Sequence, residues 1–592
     1  MHCMIHILWQ YYAYSSIHRS ILYDLIMASL THKMINGRKY YYARECKRVN
    51  GKPKIVRTVY LGTVERMIQS VQGRNEIPAA KEVFVEEFGA TAALCQIAQR
   101  LQFAPIIDRH APKRNQGIST GTYMLIAALN RAIQPTSKAA LGEWFEHTAG
   151  PRLLGAKAAE LTSQAFWNHM DRLDSETLVD IENDLFKQLV EEFNVDLNCL
   201  LYDGTNFYTY INTNTLSELA QRGHNKQKRT DLRQVSLGLL TTRDFHVPLL
   251  HMVYGGNIAD STQFGSVIEQ LVSRYKQLRD FCPHVTLVFD KGNNSQENFD
   301  AFPKTQMHFV GSLKLCQCAE LLEVPLRKYR QLKDAGLEAV RSYRAQHIVF
   351  GQQRTVVVTY NENLLAGQLQ GLGRNISKSR KELHEVQCRL RRWANGTTTK
   401  GRRPTVESTE KRVAKILSRE HMKAIFEVNI EAVDTAVRLS YRLKQAALSK
   451  MTATVLGKTI LFTDNDDWTD EQIILAYRSQ YHIEHAFREM KNPTFLGWNP
   501  RLHWTDQKIR VHAFYCVAAL TLVSLLRREL AAKDLTFSAE ALLRQLRGIR
   551  ETISVYPQSR GRSPKLTYSL THLNDAQKTL YSALDLKRYR RI

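Results

Sequence analysis

The sequence predicts an α/β fold, and two stretches carry that expectation. Between Leu197 and Phe289, four short apolar runs (Leu197 to Tyr202, Val235 to Leu240, Val247 to Val253, Val285 to Phe289) are interrupted by a helical pattern from Ser261 to about Leu278. Strands and helices alternating in this way build a layered sheet. Farther on, AYRSQYHIEHAFREMK, from Ala476 to Lys491, reads as one amphipathic helix that opens with a Thr469/Gln472 capping box and ends before Pro493. Ala476, Ile483, Phe487 and Met490 form its apolar stripe, whereas Tyr477, Gln480, Glu484 and Lys491 share another face. Offsets of three, four and seven residues return to one side of a helix with about 3.6 residues per turn.

A chain of 592 residues is too long for one core, so about two to four domains are expected. A hydrophobic share of 44% and a charged share of 23% exclude disordered and fibrous classes. The charge balance is the unusual feature: 82 Lys+Arg against 57 Asp+Glu leave a formal +25. Such a surplus implies a polyanionic partner, nucleic acid first because phosphate contacts release counterions, and a membrane surface second.

Nine scattered cysteines, an odd number, read as reduced structural thiols of a cytoplasmic protein. Cys316 and Cys318 are the one close pair, and a lone C-x-C predicts no zinc. The apolar run Ala513 to Leu526 is 14 residues long and bracketed by Arg510, Arg527 and Arg528, short of the ~20 a bilayer span requires, so it predicts a buried helix and no membrane partner. Residues 1–33 read as a leader without a basic start or a cleavage site, with Met27 or Met34 as alternative starts.

Residues 34–190 are expected to be an N-terminal hairpin and helical DNA-binding region. Lys39 to Val49 and Lys52 to Leu61 flank Asn50-Gly51, a strong hairpin signal, and Pro53 requires an edge position. The ribbon's bases, among them Lys39, Arg44, Lys47, Lys54 and Arg57, fit DNA contact or a solvated edge equally well. The helical pattern from Gly89 to about Leu189, broken at Pro105, Pro112, Pro135 and Pro151, fits DNA binding or a plain bundle.

The core is expected in two parts, 191–313 and 459–530, around an insertion domain at 314–458, with a C-terminal helical region at 531–592. Within the insertion, Ile376 to Trp393 is a basic helix; its segment Lys378 to Arg392 suits a partner's DNA or solvent. After Lys491, bases and aromatics interleave (Trp498, Arg501, His503, Trp504, Lys508, Arg510, His512), which suits phosphates and base stacking or a surface loop.

Asp203 in LYDGTNFY and Asp290 in LVFDKGNN stand at the ends of apolar strand runs, where α/β sheets form sites, and Glu484 lies on the helix. Three carboxylates gathered from these places can hold two hard divalent cations. Two such ions ~3.5 to 4 Å apart activate an attacking oxygen and stabilise a leaving one in phosphoryl transfer. Asp260, Asp464, Asp466, Asp467 and Glu489 are rival carboxylates.

These motifs resemble a known family. YDGTNFY, QRGHNKQKRTDLRQVSLGLL, GGNIADSTQF, VFDKGNNS and YRSQYHIEHAFREMK, in this order, resemble the DDE-class insertion-sequence transposases of the IS four superfamily, most closely the IS sixteen-thirty-four branch. The resemblance runs from about Met34 to the Ala513 helix. It implies an RNase H-like catalytic core with an inserted mixed α/β domain, and Asp203, Asp290 and Glu484 as catalytic, metal-binding acids using two Mg2+, with Mn2+ as a substitute. It further implies double-stranded DNA as partner, through terminal inverted repeats and target DNA, a homodimeric synaptic complex, and a place at the bacterial nucleoid.

Tyr477 and Lys491 match the family's DNA-gripping positions, but Gln480 stands where the family has Arg. Gln hydrogen-bonds a phosphate without bringing charge, and Arg488, one turn beyond Glu484, is the candidate to supply it. Two other functions share these features: a structure-selective nuclease of the same fold, and an inactive, transposase-derived DNA-binding protein.

Overall fold

The structure, a computed structural model, describes residues 27–49, 52–72, 80–112, 116–225, 229, 231–259, 261–267, 269–270, 282, 284–305, 307–398, 401–434, 436–498, 503–556 and 563–591. The chain forms two compact units, Met1–Phe84 with Ile553–Tyr568, and Val85–Thr552 with Ser569–Ile592.

In the first unit, β1 (Met27–Ile35), β2 (Arg38–Val49) and β3 (Lys52–Gly62) make an antiparallel sheet in sequence order, followed by helix α1 (Val64–Gln72). Asn36 and Gly37 take φ of 49° and 77°, the left-handed pair that an Asn-Gly hairpin turn supplies at low cost. Residues 27–33, read as leader from the sequence, therefore belong to a strand. Pro53 lies on edge strand β3, opposite Arg48, where a missing N–H breaks no central ladder. The Asn50-Gly51 turn lies outside the described residues.

The second unit is built on a nine-stranded mixed sheet. After β4 (Glu82–Glu87) come helices α2 (Gly89–Arg100), α3 (Thr120–Ile133) and α4 (Ser175–Phe193), then β5 (Cys199–Thr209), β6 (Arg233–Thr242), β7 (Pro248–Gly255), β8 (Thr286–Val288) and β9 (His308–Leu313). The chain continues through β10 (Arg330–Gln331), β11 (Val340–Val349) and β12 (Gln352–Asn361), and the sheet is completed by β15 (Lys458–Thr463), reached after β13 (Phe426–Val433) and β14 (Ala436–Leu443). The order is β10-β11-β12-β15-β9-β8-β5-β6-β7. β5, β6 and β7 form an antiparallel meander, β8 and β9 run parallel to β5, and the remaining strands are antiparallel. β4, β16 (Arg550–Tyr556) and β17 (Lys565–Leu570) form a three-stranded sheet in the order β17-β16-β4.

The expected insertion thus meets a sheet that keeps growing. β10 to β12 fall inside 314–458 yet extend the main sheet, whereas a separate hydrophobic cluster starts with α5 (Glu362–Ala394). Leu372, Leu383, Val386 and Leu390 of α5 pack there with Ile416, Met422, Phe426 and Leu439. The opposite face of α5 leaves Arg374, Lys378, Arg380, Lys381, Arg389, Arg391 and Arg392 exposed. The pattern is that of an amphipathic helix whose exposed side from Arg374 on is rich in cations, with Glu385 exposed among them.

Two expected elements have different limits. β5 continues seven residues past Tyr202, because its ladder with β6 persists through polar partners such as Asn206 and Ser236, whose hydroxyl donates to the Asn206 amide oxygen at 2.7 Å. Backbone pairing, not hydropathy, sets its end. The Ala476 to Lys491 helix is two helices, α6 (Asp470–Arg478) and α7 (Tyr481–Met490). At the break the Ser479 hydroxyl donates to the Ala476 carbonyl, a local bond that competes with the helical ladder. The Thr469/Gln472 capping box forms as expected, and Ala476, Ile483, Phe487 and Met490 are buried.

Helix α8 (Asp506–Ala531) lies at the centre of the helical layer, against α2, α3, α4 and β7. It is long and apolar enough to cross a membrane, and 94% of its apolar window is buried inside the protein. The interleaved stretch before it is core as well: Trp498, His503, Lys508 and His512 are buried and Trp504 is exposed, while Arg501 lies outside the described residues. Arg510 donates to the Val253 carbonyl at 2.8 Å rather than standing free for phosphate.

Under β8 and β9, Phe289 packs with Phe264, Phe299, Phe302 and Phe309, its ring centroids 4.8 Å to 6.4 Å from theirs. A Cβ at Gly311 would meet the Phe462 ring at 2.7 Å and the Phe289 ring at 3.1 Å, so only glycine admits this stack. Phe289→Ala is expected to cost about 3 to 5 kcal/mol in denaturant unfolding, by lost transfer and a residual cavity; a loss under about 1 kcal/mol would show that the aromatic layer is not packed as described.

Candidate active site

The register of two parallel strands sets the site. Leu201 of β5 is the Cα partner of Val288 of β8, and Asp203 and Asp290 each follow two residues later. Two residues restore the same face of a strand, and neighbouring strands lie about 4.8 Å apart, so the two acids emerge side by side. Asp203 sits within β5, not at its end as the apolar run suggested, but just past the last β5–β8 pair. Asp290 is still extended, with φ −87° and ψ 160°, because Phe289 N–H continues the ladder onto the Val310 carbonyl at 3.2 Å.

Two hydroxyls hold the Asp290 carboxylate. Ser312 Oγ donates to Oδ1 at 3.0 Å from the adjacent β9, and Tyr477 Oη donates to the same oxygen at 3.1 Å from α6. Burial, with the nearby negative charge of Asp290 and Asp203, pushes the Tyr477 phenol up, so it stays a neutral donor. Tyr477 therefore grips the Asp290 carboxylate and senses the charge of both acids, a contact that stands beside the expected one to DNA phosphate.

At the other end of the helix pair, Lys491 Nζ donates to Thr205 Oγ1 at 2.6 Å and lies 5.2 Å from the centre of the Phe207 ring. Thr205 and Phe207 follow Asp203 at two and four residues, on the same face of β5. Glu484 stands seven residues from both Tyr477 and Lys491, on the stripe between these two anchors. It is exposed, and no hydrogen bond or ion pair engages it among the described residues. Arg488, one turn on, is exposed too. Gln480 caps α7, and its buried amide nitrogen has no hydrogen-bond partner.

Three of the rival acids, Asp464, Asp466 and Glu489, have other partners, and Asp467 is exposed. Asp464 accepts the Phe309 N–H at 2.8 Å and faces Arg354, and Asp466 accepts from Thr355 Oγ1. Asp260 lies outside the described residues. Glu489 is buried on another side of α7, with His246 and His485. Among the described residues, this last trio is the group of potential ligands whose donor atoms all lie within 4.8 Å of one another; Asp203, Asp290 and Glu484 are not drawn that close. The donors of the three acids are nonetheless those a hard cation prefers: all oxygen, two already side by side, and none below an apolar lid. Sequence reasoning missed Ser312, Thr205 and His246. Ser312 is marked by no motif of its own, whereas Thr205 and Lys491 share motifs quoted above without any sign that they meet.

This is an α/β protein whose sheet presents a carboxylate pair at the edge of its parallel strands beneath an acid-bearing helix. The family model for the transposase DDE domain matches residues 196–522, more than half of the chain, and the chain belongs to that family: it is a DDE transposase. No curated protein matches it. One of five matching solved chains is from the cryo-EM structure of a piggyBac transposase synaptic complex with hairpin DNA, at 10% identity and a TM-score of 0.34, covering 76% of this chain and 77% of that one.

Tyr477→Phe removes one donor from Asp290 and is expected to lower stability by about 1 kcal/mol in urea unfolding. A loss above about 3 kcal/mol would mean that the ring's packing, and not the hydroxyl, ties α6 to the strand.

Proposed function

We propose that the chain is a cut-and-paste transposase of the IS four superfamily, on the IS sixteen-thirty-four branch, that cleaves the ends of its element and joins them to target DNA. The observation that carries this reading is the pairing of Asp203 and Asp290 across β5 and β8, with Glu484 on the helix pair that Tyr477 ties to Asp290 and Lys491 ties to Thr205. The order β7-β6-β5-β8-β9, antiparallel then parallel, supports an RNase H-like core.

Asp203, Asp290 and Glu484 would hold two Mg2+, or Mn2+, which supply charge neutralisation at phosphate and a lowered pKa for the attacking water. The chain's own residues do the rest. Ser312 and Tyr477 fix the orientation of the Asp290 carboxylate, and Lys491 places a cation beside the acids, within reach of a phosphodiester. Arg488 brings the charge that Gln480 lacks. In hydrolysis a water attacks the phosphorus and the bond to the 3′ oxygen breaks, leaving a 3′-hydroxyl and a 5′-phosphate; that hydroxyl then attacks a phosphorus of the target strand, forming the joint as the target's own 3′ oxygen is expelled as a hydroxyl.

The net charge of +25 and the cationic stripe of α5 support double-stranded DNA as partner, and the basic β2 and β3 suit terminal repeats. The synaptic complex is read as a homodimer in which α5 reaches the partner's DNA, in the cytoplasm at the nucleoid. In domain terms, 34–190 is read as recognising ends, 191–313 and 459–530 with β10 to β12 as making the core, and the separate cluster that starts with α5 as the inserted part.

The test is cleavage of a labelled duplex carrying the element's own terminal repeat, with Mg2+. The natural protein is expected to cut at the repeat end, and Glu484→Gln to bind as tightly while cutting about a thousandfold more slowly or less. Binding without cutting by both proteins would identify an inactive DNA-binding descendant, and equal cutting by both would remove Glu484 from the mechanism.

A further inference from the structure

Helix α7 carries a second constellation. On the side away from Glu484, Glu489 is buried between His485, one turn earlier, and His246, which the β6–β7 turn delivers from far away in sequence. Phe245 and His246 both have positive φ, 60° and 44°, so the turn adopts left-handed backbone at two consecutive non-glycine residues while placing that imidazole against the helix.

The contacts are too long for hydrogen bonds. His485 Nδ1 lies 3.3 Å from Glu489 Oε1, and His246 Nε2 lies 3.6 Å from Glu489 Oε2. Two buried polar atoms of the cluster, His485 Nδ1 and Glu489 Oε2, are left without a hydrogen-bond partner, and so is Nδ1 of His246, the ring nitrogen other than the one that approaches Glu489. Buried polar groups are nearly always paired, so this concentration of orphans calls for a ligand.

Distance decides which ligand. Bonds of about 2.0 to 2.1 Å to a tetrahedral centre put donor atoms about 3.4 Å apart. The separations of 3.3 Å and 3.6 Å bracket that value, and all three donors lie within 4.8 Å of one another. Two imidazoles and one carboxylate are a ligand set of zinc, whereas Mg2+ prefers oxygen alone. The surrounding charges are mixed: Arg527 Nη1 is 3.4 Å from His246 Nε2, and Asp244 and His482 lie beside the cluster.

We infer that His246, His485 and Glu489 bind one Zn2+-class transition-metal ion, and that this ion pins α7 to the β6–β7 turn. The pin fixes the rotation of the helix that presents Glu484, and it is separate from the oxygen-only acids. The absence of zinc expected from the cysteines does not bear on it, because no cysteine takes part. The inference does not rest on the proposed DNA chemistry, and either can fail alone.

Full-length protein stripped with a chelator and kept in excess Mg2+ is titrated with Co2+, with the visible absorption of four-coordinate Co2+ as the readout and bound metal counted by mass spectrometry. One equivalent is expected to bind, to be displaced by Zn2+, and to raise the melting temperature. His485→Ala and Glu489→Gln are expected to weaken binding about 100-fold or more, and Glu484→Gln to leave it unchanged. Circular dichroism checks each fold; if Glu489→Gln does not fold, His485→Ala, at a half-exposed position, decides alone. Absence of a saturable equivalent, unchanged binding in His485→Ala, or loss in Glu484→Gln would overturn the assignment.

Discussion

The parallel pairing of β5 with β8 is the constraint on which the rest of the site depends. Pairing Leu201 with Val288 brings two aspartates, 87 residues apart in the chain, onto one face at the spacing of adjacent strands. A slip of one residue would send one of them to the opposite face, so the register must be held firmly. It is held from below by the aromatic layer around Phe289, which needs Gly311 to close, and from the side by β9, whose Ser312 reaches back to Asp290. Core packing and carboxylate geometry are thus one problem, since Phe289 and Asp290 are consecutive residues on opposite faces.

The helix pair α6 and α7 adds the third acid by a different device. Tyr477 and Lys491 tie its two ends to the strands, and Glu484 projects from the span between them, exposed and unengaged. Two like charges already held side by side resist a third, and Glu484 stands apart from them. The break at Ser479 divides the two helices, although Ser479 and Gln480 both keep right-handed helical backbone.

Much of this was legible in the sequence, and the reasons differ by element. Asp203, Asp290 and Glu484 stood out because apolar runs and a capped amphipathic helix framed them, and the family match over residues 196–522 covers all three. The capping box and the buried stripe of α6 and α7 followed from local chemistry. Four things did not follow. The end of β5 depends on polar ladder partners in β6, which hydropathy does not register. The stretch from Trp498 to His512 looks like a nucleic-acid surface by composition, yet its cations find carbonyl and carboxylate partners inside the fold, as Lys508 does with the Trp167 carbonyl and Asp171. The outlying β10 to β12 look like part of an insertion because only tertiary pairing joins them to the sheet. Likewise, the meeting of His246 with Glu489 is a product of topology, invisible in any spacing.

The central claim is that Asp203, Asp290 and Glu484 form one divalent-cation site. Crystals of the protein with its terminal-repeat DNA, grown in Mn2+, would test it through anomalous scattering at the manganese edge. The account requires anomalous peaks enclosed by these three carboxylates, lost in Asp290→Asn. Manganese found only elsewhere on the protein, with Asp203 and Asp290 free of it, would contradict the account at its root.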